Sequence, residues 1–194
     1  MALVASLFAT TLLACLGLTL VLLGAAETTL AGHDVQAQAA RQAAQGALSL
    51  AESELRALPT WTGVLAAGAP DVCATPGRLL DGSLQPRAPW DGSPLDLHVL
   101  TLARQAESDA AAPPGAPLAV WRLFEYAPIS RLVPSDPWRH PYYVVVWAAD
   151  GREGTVRLHS TALGPSGLVS SLEASVARGT GGTSLIRLAI RTVN

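Results

Sequence analysis

The sequence predicts an α+β protein in which a long N-terminal helix, its first half transmembrane, packs on a C-terminal four-stranded antiparallel sheet through a long loop-rich connection. Three observations predict it. No charged residue occurs in the first 26 positions. No proline occurs before Pro59, so nothing breaks a helix over that length. The last third is a series of short β-prone runs separated by Asp-Gly, Gly-Pro and Gly-Gly turns.

The chain has 194 residues, of which 49% are apolar and 14% charged, with a formal net charge of −2. That length supports one ordinary domain and an added element, and excludes two large domains. With a pI near 6.0 there is no basic excess to neutralise a phosphate backbone, so nucleic acid is not an expected partner. The mean hydropathy of +0.31 is high for a soluble chain, and the hydrophobicity is concentrated at the front.

Leu3 to Ala26 is an uncharged run of 24 residues, against the ~20 needed to cross a bilayer core. A cleaved secretory signal has a basic leading region and an apolar core of about 7–15 residues. Here the run is longer and no basic residue precedes it. Leu12-Leu13-Ala14-Cys15 approximates a lipoprotein signal, but apolar sequence continues to Leu23. The run is therefore read as a span, with Leu3, Leu7, Leu12, Leu16, Leu20 and Leu23 as its packing residues. Cys15 lies in this run and Cys73 outside it, so an intramolecular disulfide is not expected.

Four regions follow: the transmembrane half of the helix (1–26), its continuation outside the membrane (27–58), a connection (59–141) and the sheet (142–194). Residues 27–58 are rich in the helix formers Ala, Gln, Leu, Glu and Arg. Ala40, Ala44, Ala47, Ala51, Leu55 and Leu58 recur at spacings of three and four, which places them on one stripe to be covered by the sheet. Arg41, Gln42, Gln45, Ser49, Glu52 and Arg56 lie largely elsewhere, with Glu52 and Arg56 spaced as an exposed i, i+4 pair. As one helix, residues 3–58 would reach about 84 Å against a hydrocarbon core of about 30 Å. Gly17, Gly24, Gly32 and Gly46 each weaken it by about 1 kcal/mol where it is solvated. They mark either close helix packing or a helix that unwinds locally.

Residues 59–117 carry nine of the fourteen prolines, so this stretch reads as connection with one short helix around Leu95 to Ala106. The four strands are Tyr142 to Ala149, Thr155 to Leu163, Leu168 to Ala177 and Ser184 to Val193. Short links between them require antiparallel pairing. In the second, Val156, Leu158, Ser160 and Ala162 alternate with Arg157, His159 and Thr161, the pattern of a strand with one covered face.

No catalytic constellation is evident. G-x-S-x-G, H-E-x-x-H and G-x-x-x-x-G-K-S/T are all missing, and Gly179 to Thr183 precedes a strand rather than the helix N-terminus that a phosphate cradle needs. His33, His98, His140 and His159 have no metal-ligand spacing. Asp81, Asp91 and Asp96 form an acidic set whose first reading is turn chemistry and whose second is a calcium loop. The expectation is a non-enzymatic chain with no catalytic residue, metal or cofactor. Trp147 is expected in the core, while Trp90 and Trp138 sit in Pro/Gly-flanked loops and are candidate partner-binding aromatics.

Several stretches, in order, resemble the PilX-like minor pilins of the type IV pilus and pseudopilin superfamily. They are Met1-Ala2-Leu3-Val4, the Leu/Gly-rich run to Gly24, Leu50-Ala51-Glu52-Ser53-Glu54-Leu55 and Pro59 to Leu65. Tyr143 to Trp147, Ala162 to Gly167 and Glu173 to Arg178 complete the series. The resemblance implies a structural subunit held in the bacterial inner membrane by a single span, with its C-terminal domain in the periplasm, and then drawn into a filament at the cell surface. Its implied partners are other minor and major pilin subunits through their N-terminal helices, the inner-membrane assembly machinery with its motor ATPase, and the lipid bilayer. Two departures stand out. The family's short basic leader ending in Gly does not precede the span, so that either Met1 is the processed first residue or the numbering omits the leader. Ala5 stands where major pilins carry a Glu that offsets the amine of the preceding subunit, which implies a place at or near the filament tip. A pseudopilin of a type II secretion system and a membrane-tethered periplasmic binding domain are the alternatives.

Overall fold

A computed structural model of the chain describes residues 2–66, 72–83, 85–132, 141–151, 154–178 and 185–193; for Ala2, Ala5, Leu185 and 187–193 it describes the backbone alone. Helix α1 runs from Ala2 to Ala57, within one residue of the expected bounds. The chain divides into two units, Met1–Gln38 and Ala39–Asn194. The second contains the end of α1, a single-turn helix α2 (Thr62–Leu65), helix α3 (Leu97–Ala110) and five strands.

The four expected strands are present in order: β2 (Tyr143–Asp150), β3 (Val156–Leu163), β4 (Val169–Arg178) and β5 (Leu185–Val193). A fifth, β1 (Arg122–Pro128), precedes them and pairs with β2, giving the antiparallel order β1-β2-β3-β4-β5. This corrects the expectation of irregular connection over 59–141. β1 escaped the sequence reading because Glu125 interrupts its apolar residues, and a bulge between Leu123 and Glu125 breaks the two-residue period. The helix expected around Leu95 to Ala106 is α3, and Asp96 caps it by accepting a hydrogen bond from the Val99 amide at 3.0 Å.

One face of the sheet packs on α1. Ala40, Ala44, Ala47, Ala51 and Leu55 are buried there with Val144, Val146, Val156, Leu158, Leu172, Ala174 and Val176, and Leu58 packs at the margin half-buried. Ala43 and Leu48 widen the stripe beyond the six residues read from the sequence. The alanines let the backbones approach so closely that Ser160 Oγ donates to the Ala44 carbonyl at 2.8 Å. Glu52 is buried, which corrects its assignment to an exposed pair with Arg56.

The end of α1 is clamped. Its last carbonyls lack intrahelical donors. Trp61 Nε1 donates to Leu55 O at 2.9 Å, and Arg178, at the end of β4, donates to Leu58 O and Pro59 O at 2.7 and 2.6 Å while its guanidinium stacks 4.9 Å from the Trp61 ring. A cation at a helix C-terminus contributes about 0.3–1 kcal/mol, and here it also fixes β4 to the helix end.

The opposite face is covered as well. Leu123, Tyr143, Val145, Trp147 and Ala149 form a second core with Trp121, on which Leu97 and Leu100 of α3 pack. Coverage on both sides accounts for the unbroken apolar run in β2, a pattern of strands with no solvated face.

The outer edge of β1 is occupied by residues 72–81, which run parallel to it. Cys73 N and Gly77 N donate to Leu123 O and Phe124 O, Tyr126 N donates to Leu79 O, and Asp81 N donates to Tyr126 O, all at 2.7–2.9 Å. A Cβ at Gly77 would collide with the Glu125 side chain, so only glycine lets this segment close. It also reaches α1, where Glu54 Oε2 accepts the Arg78 amide at 2.6 Å. Glu125 is completely buried beneath it, and neither carboxyl oxygen is hydrogen-bonded among the described residues. Burial, and then the neighbouring Glu54 carboxylate, push its pKa up to about 9.

Two outcomes are expected. Ala47→Trp overpacks the joint by about 1–3 kcal/mol and lowers the melting temperature of a fragment beginning near residue 30 by about 2–12 °C, whereas Gln45→Trp on the exposed side leaves it unchanged. Equal effects would show the joint to be wrongly placed. For Glu125, the folded state holds a proton that the unfolded state releases near its ordinary value. Stability therefore falls as pH rises from about 4.5 to about 9. Glu125→Gln removes that slope and raises the melting temperature at pH 8; melting curves across this range check it.

Candidate functional site

The most exposed apolar feature is the first half of α1. Leu3, Leu7, Leu12, Leu16, Leu20 and Leu23 are all between 54% and 80% exposed, and an 18-residue window of mean hydropathy 2.3 has no buried residue. Left in water, so much apolar surface would be strongly unfavourable. By length and composition α1 is suited to crossing a membrane. The hydroxyls within this segment are satisfied by the helix itself. Ser6 donates to Leu3 O, Thr10 to Ser6 O, Thr11 to Leu7 O and Thr19 to Cys15 O at 2.8–3.0 Å. No polar group of these side chains needs water, which lipid requires.

Gly17, Gly24 and Gly32 stay helical, and a Cβ built on any of them meets nothing within 4 Å. Packing within this chain therefore does not account for them. Thr10, Gly17 and Gly24, seven residues apart, fall on one side of the helix and leave it a shallow face. Small residues at such positions allow a second helix to approach closely in lipid.

The main polar constellation was hidden in the sequence. Arg157, His159 and Thr161, taken as the solvated side of β3, lie beneath α3 together with Ser171 and Glu173 of β4 and Arg104 of α3. Glu173 receives Arg104 Nη2 at 3.2 Å and Arg157 through Nε at 3.0 Å and Nη2 at 2.6 Å. The two guanidinium groups lie 4.6 and 5.0 Å from the Trp121 ring. His159 Nε2 meets Thr161 Oγ1 at 3.1 Å, which meets Ser171 Oγ at 2.9 Å, while Nδ1 stands 3.8 Å from Glu173. Trp147 Nε1 adds a 2.9 Å bond to Thr101 of α3. Burial holds the imidazole below its ordinary pKa and so neutral; the neighbouring Glu173 carboxylate pulls the other way, and the Arg104 charge adds to the lowering.

A hydroxyl, an imidazole and a carboxylate in sequence suggest nucleophile chemistry. Here Ser171, His159 and Glu173 are each at least nine-tenths buried. Trp121 and α3 close them in, so no substrate reaches the hydroxyl. The arrangement serves to dock α3: breaking a buried pair of this kind by removing one partner costs about 3–5 kcal/mol. No spacing signal disclosed it, because α3 and β4 meet only in the folded chain.

An open cleft of about 570 Å³ lies between the start of α3 and β1, lined by Val72, Pro86, Leu95, Asp96, His98 and Tyr126 among others. The acidic set is dispersed into local tasks. Asp81 accepts the Ser83 amide and the Tyr143 hydroxyl, Asp91 accepts the Ser93 amide, and Asp96 caps α3. No group of three or more His, Cys, Asp or Glu residues gathers to hold a metal ion among the described residues. Trp90 is half-buried against the second core, and Trp138 lies outside the described residues. Cys15 and Cys73 are both free thiols, the latter buried and pushed up to about 12, which leaves it protonated and unreactive. No protein-family model, curated protein or solved structure matches the chain.

The exposed half of α1 is thus the surface with the clearest functional consequence. Leu16→Arg places a charge at the centre of the run, at a cost of about 2.5–3.5 kcal/mol for insertion. The expected result is loss of the chain from the membrane fraction, and wild-type fractionation would overturn the span.

Proposed function

We propose that the chain is a minor pilin-like structural subunit that helps prime or assemble a type IV pilus-like filament, at or near its tip. The observation that carries this reading is the exposed, uncharged, internally hydrogen-bonded first half of α1 joined to a domain built on an antiparallel sheet. Such a helix exchanges lipid for like helices with little net change in apolar burial, so transfer from membrane to filament is not opposed by the hydrophobic effect. The open glycine positions at Gly17 and Gly24 support close packing against other subunits. The position near the tip rests on charge. The first carboxylate in the sequence is Glu27, so the span has none with which to offset a preceding subunit's amine inside an apolar bundle. Under this reading the partners are other pilin subunits, the inner-membrane assembly machinery and the bilayer, and the folded domain lies on the periplasmic side before assembly.

Immunogold labelling of filaments from the source cell, with a deletion strain beside it, tests the reading. The expected result is label at one filament end and a deletion that lowers filament number more than length. Label along the whole shaft would overturn the tip position. Label confined to the cell envelope, with filaments unchanged by the deletion, would overturn the filament role and leave a membrane-tethered domain.

A further inference from the structure

Residues 72–81 close the outer edge of β1 like a strap, yet little apolar surface of their own holds them there. Cys73, Gly77 and Leu79 are buried, whereas Ala74, Thr75, Pro76 and Arg78 are exposed. The C-terminal end is anchored. Arg131 donates to Leu80 O, and Asp81 lies 3.8 Å from the same guanidinium and accepts the Tyr143 hydroxyl at 3.2 Å. Toward the middle the ties are main-chain bonds: those of Cys73, Gly77 and Leu79 to β1, that of Thr75 N to Gly63 O at 2.9 Å, and that of Arg78 N to Glu54 at 2.6 Å. A segment with so few buried apolar side chains opens locally at a lower cost than the sheet beneath it.

Glu125 sits under this middle section. Its side chain lies directly against Gly77 and is fully buried, with Val146 of β2 paired opposite. Both carboxyl oxygens lack a hydrogen-bond donor among the described residues, and the nearby Leu79 amide satisfies neither. The charged group that acts on Glu125 is Glu54 of α1. Arg78 turns its amide to Glu54 and is otherwise exposed. Glu52 stands two residues earlier on α1 and so on another side of that helix. Helix α2 carries no charge. Two ionised carboxylates are acceptors only, so each leaves the other without a partner. One proton resolves this: a protonated Glu125 donates to Glu54, which also accepts the Arg78 amide.

We propose that Glu54 and Glu125 share one proton, which latches residues 73–79 over the edge of β1, and that loss of this proton to water opens the strap. With the proton in place, Glu54 joins α1, β1 and the strap at one point. Without it, two like charges face each other in a buried site, and lifting the strap is the movement that hydrates both. The opening frees the carbonyls of Leu123, Phe124 and Tyr126 and the Tyr126 amide, and an unpaired edge is a template for another strand. The closed form keeps the proton up to about pH 9, whereas in the open form Glu125 releases it near its ordinary value of 4.5. Between these limits the opening equilibrium moves toward the open form about tenfold per pH unit. Acid closes the strap and alkali opens it.

Trypsin reads the opening, because Arg78 lies in the strap and the chain has no lysine. The full chain in non-ionic detergent micelles is digested at about pH 6.5 and about pH 8.5, each rate being taken relative to an unstructured peptide of residues 73–83 at the same pH. Cleavage after Arg78 is expected to rise about a hundredfold, ahead of cleavage after Arg157 in β3, which needs the sheet to unfold. Glu125→Gln keeps a donor for Glu54 and has no proton to lose, so its relative rate is expected to be the same at both pH values. A rise below about tenfold, an equal rise in Glu125→Gln, or cleavage after Arg157 that keeps pace would overturn the latch. Infrared spectra locate the proton. The carbonyl stretch of a protonated carboxyl is expected near neutral pH in the wild type and not in Glu125→Gln. In Glu54→Gln, whose amide can donate to an ionised Glu125, the band is expected to vanish at a lower pH than in the wild type. A wild type without the band, or an unmoved midpoint in Glu54→Gln, would overturn the shared proton. Neither measurement involves a membrane or a filament, so the outcome is independent of the function proposed above.

Discussion

The separation between α1 and the sheet is the constraint on which the rest of the domain depends. Alanine at 40, 44, 47 and 51 lets the helix lie close enough for Ser160 to bond directly to a main-chain carbonyl of α1. A joint this tight has little tolerance, because interiors are packed to crystal-like density. The position of the helix end is then fixed by polar contacts rather than by further apolar bulk. Trp61 donates to Leu55, one of the last carbonyls of α1, Arg178 donates to the Leu58 and Pro59 carbonyls just past the helix end, and Glu54 takes the Arg78 amide of the segment that closes the β1 edge. Helix, sheet and edge segment converge near Glu54, and Gly77 and Glu125 meet beside it.

The two faces of the sheet are held by different physics. The α1 face is almost wholly apolar, with small residues on the helix and branched ones on the strands. The α3 face is apolar over β2 and ionic over β3 and β4, where Glu173 gathers two arginines around Trp121. An apolar contact tolerates sliding, whereas a buried ion pair is satisfied in one orientation only. That difference makes α3 present Val99 and Leu102 outward, against the usual sense of an amphipathic helix. The buried ionisable groups also bound the pH range of the fold from opposite sides. His159, held neutral, makes stability fall as pH drops below its ordinary value of 6.5, and Glu125, held protonated, makes it fall as pH rises above its ordinary value of 4.5.

Sequence alone determined the features that follow from local pattern. An uncharged run of 24 residues, a proline-free continuation with alanine at helical spacing, and four β-prone runs between turn signals gave the helix, its packed stripe and strands β2 to β5 to within a residue at most ends. Each is a repeat of one side-chain property at the period of one element, which no distant residue has to complete. Tertiary structure alone decided the rest. β1 is a strand because β2 and residues 72–81 pair with its two edges, although Glu125 and the bulge spoil its period. Arg157, His159 and Thr161 read as a solvated face, yet Arg157 is half-buried and His159 and Thr161 are buried, since α3, some fifty residues earlier in the chain, brings Arg104 over Glu173. Burial of a polar or charged side chain is governed by whether a partner arrives to satisfy it, and that partner comes from another element at a sequence separation that no local period encodes.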